Sequence, residues 1–170
     1  MPKLLWTVAL VVGLSGPTFA SDLEDLGPAP DFTLPLRGGG DATLSETWAG
    51  GPVILDFWAT WCAPCKKALP RYQAIYDKYK DQGLTIFAIS QDDPRSQAKI
   101  GAFFASQKLT FPVLLDGDQK VGQLFGVQTL PVTVVIDGRG HVRAVHHGYR
   151  DGDERLLERQ IAEILATPRT

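Results

Sequence analysis

Six residues, Val53-Ile-Leu-Asp-Phe-Trp58, constrain this chain more than any other stretch. Five of them are large and apolar, the run is too short for a stable helix, and Gly51-Pro52 punctuates its start. Such a run reads as a strand buried on both faces, and that demands covering layers above and below it. Directly after it stands Ala59-Thr-Trp-Cys-Ala-Pro-Cys65, and then Ala68, Leu69, Tyr72, Ile75, Tyr76 and Tyr79 recur at spacings of three and four. That period predicts an amphipathic helix from near Cys62 to about Asp81, kinked where Pro70 removes a backbone donor.

The remaining elements follow the same logic. Phe32-Thr33-Leu34 and Ala42-Thr43-Leu44 flank Gly38-Gly39-Gly40-Asp41, as in a short hairpin. Leu84 to Ser90 reads as a second strand, and Pro94 to Lys108 as a helix with Ile100, Phe103 and Phe104 inward. Phe111 to Leu115 is a short extended piece and Gln119 to Phe125 a short helix. Pro131 to Ile136 and His141 to His147 are strands around the turn Asp137-Gly138-Arg139-Gly140, and Leu156, Leu157, Ile161, Ile164 and Leu165 mark a closing helix. This order predicts an α/β fold, a central mixed sheet with helices on both faces.

The N-terminus bears on how any cysteine should be read. Lys3, an apolar run from Leu4 to Leu14, a Gly16-Pro17 break and small residues before Ala20 have the form of a secretory signal. Residues 1–20 are therefore expected to be cleaved after Ala20, with an N-terminal membrane anchor as the alternative. The apolar run is short of the roughly 20 residues that span a bilayer. Residues 21–28, polar and containing glycine and proline, are expected to be a flexible leader, and 29–170 a single domain with a sizeable core. The formal net charge of −2, with no basic run, excludes the usual signature of nucleic-acid binding.

The chain has two cysteines, Cys62 and Cys65. Placed three apart at a helix start they share a face and can bond. Cys62 would sit among the unsatisfied amides of the helix N-terminus, which favour a thiolate, so it is the candidate nucleophile; Cys65, one turn inward, is the candidate resolving thiol. The alternatives are an inert staple and half of a zinc site. A loop this small restricts the unfolded chain little, and the remaining candidate ligands, His141, His146 and His147, are remote and alternate across one strand.

Two residues break local rules. Asp56 is a carboxylate inside the apolar strand, where burial would raise its pKa and suit it to exchange a proton with Cys65; capping a backbone group or facing water is the duller possibility. Pro131 opens a strong strand to which it cannot donate, so it belongs at the first position or at a cis bond after Leu130, and general preference favours trans.

Phe57-Trp58-Ala59-Thr60-Trp61-Cys62-Ala63-Pro64-Cys65-Lys66 resembles the thioredoxin active-site motif. Asp56 stands where thioredoxins carry a buried acid, Pro70 at their helix kink, and Thr129-Leu130-Pro131-Val132-Thr133 looks like their cis-proline loop. Ala29-Pro30-Asp31-Phe32-Thr33-Leu34, the added helical segment between Gln91 and Pro112, and the signal narrow the likeness to exported thiol-disulfide oxidoreductases of the TlpA/ResA/CcmG type.

The resemblance implies a three-layer thioredoxin-like fold with an N-terminal hairpin and inserted helix. It implies a cis Pro131 and a substrate surface of Trp61, Ala63, Pro64 and Leu130, with no cofactor beyond the Cys62–Cys65 disulfide. A glutamate near the cysteines is expected after the second strand in ResA-like members; Asp92 is the stand-in, with an exposed helix cap as the competing role. Many TlpA-like strands carry asparagine where this one has Asp56.

The implied activity is reduction of protein disulfides in the periplasm, in cytochrome c maturation or copper-site assembly. The protein would act as a monomer recharged by a membrane thiol donor of the DsbD/CcdA kind. A thiol peroxidase and a copper- or zinc-carrying module are the alternatives.

Overall fold

The computed structural model describes residues 22–167, so the expected signal lies outside the described residues. A two-stranded hairpin, β1 (Thr33–Pro35) and β2 (Asp41–Thr43), precedes a short helix, α1 (Leu44–Trp48). The expected hairpin is there, but Leu44, read as its last strand residue, turns inward and starts α1. The main sheet holds β3 (Val53–Trp58), β4 (Thr85–Ser90), β5 (Val113–Leu115), β6 (Val132–Ile136) and β7 (Val142–His147), in the order β5-β4-β3-β6-β7. Pairing is parallel for β3 with β4 and β4 with β5, and antiparallel for β3 with β6 and β6 with β7. The helices are α2 (Ala63–Tyr79), α3 (Gln97–Gln107), α4 (Lys120–Leu124) and α5 (Glu154–Ala166).

β3 is central and all six of its residues are buried, as a strand covered on both faces must be. Alternation splits it between two cores. Ile54 and Trp58 join Cys65, Leu69 and Tyr72 of α2, Ile100 and Phe104 of α3, and Leu157 and Ile161 of α5. Val53, Leu55 and Phe57 pack on the other side with Leu34, Leu44 and Val121. Burying each of the strand's large apolar side chains contributes about 1.5–3 kcal/mol, which is why the strand can tolerate one buried acid among them.

The leader is not loose. Glu24 N and Leu26 N donate to the carbonyls of Arg143 and Val142, both at 2.9 Å, and Val142 N donates back to Gly27 O at 2.9 Å. His141 Nδ1 also meets Asp25 at 2.9 Å. Residues 24–29 thereby cover the β7 edge, which would otherwise present unpaired backbone groups. The opposite edge, β5, is covered by the hairpin through the Leu36–Leu114 bridge and Arg37 N to Val113 O at 2.9 Å.

Candidate active site

β3 ends at Trp58, and the next residues turn sharply into α2, with Cys62 N donating to Ala59 O at 3.1 Å. Cys62 has an extended backbone and is the N-cap of α2, while Cys65 lies in its first turn. The two are disulfide-bonded with Cα atoms 5.3 Å apart, inside the ordinary range for such a bridge. Cys65 N donates to Cys62 Sγ at 3.3 Å, so the sulfur already serves as the acceptor that a helix N-terminus requires. Cys62 retains 5% of its accessible surface and Cys65 none, which makes the outer sulfur the one a partner can reach. Around it Trp61 is 68% exposed, Ala63 is exposed and Pro64 half-buried. Pro70 lies within α2 without ending it.

Asp56 lies fully buried between Ile54 and Trp58 on the face of β3 that α2 covers. Its Oδ1 accepts a hydrogen bond from the Thr133 hydroxyl at 3.0 Å, and its Oδ2 has no partner among the described residues. Burial pushes its carboxyl up to about 7, opposed by the Thr133 bond. A group poised there can take or release a proton near neutral pH.

The register of β6 against β3 builds the other wall. Asp56 pairs with Thr133 and Phe57 with Val132, so Pro131 comes level with the end of β3 from which the cysteine loop departs. The Leu130–Pro131 bond is cis, Pro131 is buried, and its carbonyl accepts from Gly148 N at 2.8 Å. Leu130, half-buried, packs against both cores. The cis bond after Leu130 is the one the resemblance implied, against the general preference for trans, and β6 itself begins one residue later, at Val132.

Asp92 corrects the cap expectation. It is 3% exposed and accepts three hydrogen bonds: Thr60 N at 2.9 Å, the Thr60 hydroxyl at 2.7 Å and the Ser90 hydroxyl at 3.0 Å. Its neighbour Asp93 is the exposed cap, accepting from Arg95 N at 2.8 Å and Ser96 N at 3.0 Å. Asp92 therefore braces the loop that carries the cysteines, from beneath. Next to it, Gln91 donates to Asp116 at 2.7 Å, and Asp116 accepts from Val121 N and Gly122 N of α4, the helix ahead of the cis-proline loop. The sequence reading gave Ser90 and Asp116 no role, and Thr60, Thr133 and Tyr72 none beyond a place in a motif or on a helix face; for all but Tyr72, which lies mid-way along α2, the available signal was a polar residue near the end of an apolar strand. Two of the three histidines weighed as metal ligands are engaged elsewhere, His141 with Asp25 and His146 with Gln160 at 2.7 Å.

With this geometry in view, the profile of the AhpC/TSA family matches residues 27–145. The chain belongs to that family. It is 33% identical over 129 residues to the thiol-disulfide oxidoreductase ResA of Bacillus thuringiensis, covering 70% of this chain and 73% of that protein. The match to ResA of Geobacillus kaustophilus, at 37% identity, spans about half of that relative's length, 52%. A Chlorobium tepidum structure assigned as the thiol:disulfide interchange protein DsbE superposes with a TM-score of 0.76 at 34% identity, over 85% of this chain and 99% of that one. StoA of Bacillus subtilis superposes at 0.63 with 25% identity, over 78% and 96%. The chain is a thioredoxin-like thiol-disulfide oxidoreductase of the ResA/DsbE type, with the Cys-x-x-Cys pair at the head of α2.

Proposed function

We propose that this protein is an exported disulfide reductase for protein substrates, with Cys62 as nucleophile, Cys65 as resolving thiol and Asp56 as the proton acceptor for Cys65. The observation that carries the reading is the pairing of a reachable Cys62 sulfur at a helix N-cap with a buried carboxyl whose second oxygen is open. In the reduced protein the Cys62 thiolate attacks a partner disulfide. A Cys62–partner bond forms, and the partner's other sulfur leaves with the electron pair of the broken bond. Cys65 then gives its proton to Asp56 and attacks Cys62 Sγ. The mixed disulfide breaks, the second partner sulfur leaves as thiolate, and Cys62–Cys65 is left oxidised. Two electrons have passed to the partner, whose thiolates take up protons from Asp56 and solvent.

Trp61, Ala63, Pro64, Leu130 and cis Pro131 form the surface against which an extended substrate segment would lie, held in place through Thr60 by Asp92. Pro64 lacks an amide that would otherwise stabilise the Cys62 thiolate, which favours a reducing pair. The place of action is the periplasm. A membrane thiol donor of the DsbD/CcdA kind recharges the pair, and cytochrome c maturation or copper-site assembly supplies the substrates. Among the described residues no helix is long and apolar enough to cross a membrane.

The test is partner trapping in the exporting cell. The Cys65→Ser protein is expected to accumulate mixed disulfides through Cys62, and the Cys62→Ser protein none. Trapping by Cys62→Ser alone would reverse the two roles, and rapid peroxide turnover by Cys65→Ser without trapping would replace the reductase with a peroxidase. Equilibration with glutathione should place the potential nearer the roughly −270 mV of thioredoxin than the −120 mV of DsbA.

A further inference from the structure

Two hydroxyls connect α2 to the buried acid. Thr133 faces Asp56 across the β3–β6 ladder, is 1% exposed and donates its only proton to Oδ1 at 3.0 Å. Its oxygen also lies 3.2 Å from the Tyr72 hydroxyl, and with the Thr133 proton already committed, Tyr72 must be the donor in that bond. Tyr72 is 4% exposed, two helical turns after Cys65 on the same face of α2, with its ring edge-on to Tyr149 at 6.2 Å. The chain therefore runs one way, from Tyr72 through Thr133 to Asp56: Thr133 donates to the carboxylate at Oδ1, and Tyr72 acts on it through Thr133.

We propose that Thr133 and Tyr72 are positioning residues for the proton transfer: Thr133 occupies Oδ1 and Tyr72 fixes the Thr133 hydroxyl, which orients the carboxyl so that Oδ2 alone accepts the Cys65 thiol proton. Oδ2 is buried without a partner among the described residues, which is what an acceptor kept open for a transient proton requires. Cooperative polarisation along the two bonds strengthens the grip on the ionised form in this low-dielectric site. The titratable groups on this side are Cys62 at the N-cap of α2, Cys65, Tyr72, Tyr76 and Tyr79 within it, His146 of β7, which pairs with Thr133, and Tyr149 and Asp153 beyond Tyr72; β4 sets Ala88 opposite Asp56.

This inference rests on the reading of Asp56 as acceptor, and two readouts separate them. The first is the titration of the Asp56 carboxyl by carbon-13 NMR in the oxidised protein, where neither cysteine titrates. Thr133→Val should move the midpoint upward by about one pH unit, the worth of a buried hydrogen bond to a charged group. Tyr72→Phe should move it upward by less, and Thr133→Ser should hold it at the native value. The second is the pH profile of Cys65 attack on a Cys62 mixed disulfide, which should shift in parallel. Wild type and Asp56→Asn resolving alike would defeat the acceptor reading and the inference built on it. If those two differ while neither Thr133→Val nor Tyr72→Phe moves either readout, the relay alone fails.

Discussion

Two carboxylates belong to neighbouring strands, Asp56 within β3 and Asp92 just past β4, and both are hidden from solvent, at 0% and 3% exposure. Their surroundings differ in the number of donors. Asp92 receives three hydrogen bonds, two of them from the loop that delivers Cys62, and has become a brace. Asp56 receives one and leaves an oxygen open beneath the helix of the cysteines. Burial by itself therefore does not mark a proton carrier; burial with an open oxygen does.

The sharpest way to break that contrast is the pH dependence of folding. Asp56 has its carboxyl raised from 3.8 to about 7, so between those values the folded protein holds a proton the unfolded chain has released. Stability contributed through this group is full below about pH 4 and falls as pH rises through the folded value, a loss of roughly 4 kcal/mol by pH 8. Measured on oxidised protein, the wild type minus Asp56→Asn difference should show that slope. A flat difference would mean that Asp56 is not a strained buried acid.

A smaller effect of opposite sense is expected at Asp92. Asp92→Ala leaves the Thr60 amide and the Thr60 and Ser90 hydroxyls without their acceptor, and should cost about 3 kcal/mol in denaturant unfolding. Loss below about 0.5 kcal/mol would deny it the bracing role. The smallest effect belongs to Trp61→Ala. With a side chain so exposed, stability should change by less than about 0.5 kcal/mol, while capture of a disulfide peptide by Cys62 weakens. Unchanged capture would remove Trp61 from the substrate surface.

These contrasts also show what the sequence could and could not disclose. The alternation of apolar residues and the three-and-four spacing after Cys65 were enough to order the main strands and helices, because both report how a face is buried. Asp56 was visible as a single violation inside β3. Asp92 stood out only through the resemblance, and its bracing role was not legible because that role depends on Thr60, 32 positions away. The leader misled for a related reason: its polar composition signals a loop, and only the backbone pairing to β7 reveals what holds it. Thr133 looked like an ordinary strand threonine. Only the β3–β6 register sets its hydroxyl on Asp56.

The account stands most directly on the resolution step. Stopped-flow measurement of Cys65 attack on a preformed Cys62 mixed disulfide, from pH 5 to 9, should give a wild-type rate governed by the coupled Asp56–Cys65 pair, and a rate about 100-fold lower near pH 7 in Asp56→Asn. Equal rates and superimposable profiles would contradict it, leaving Asp56 a buried acid with no part in the exchange.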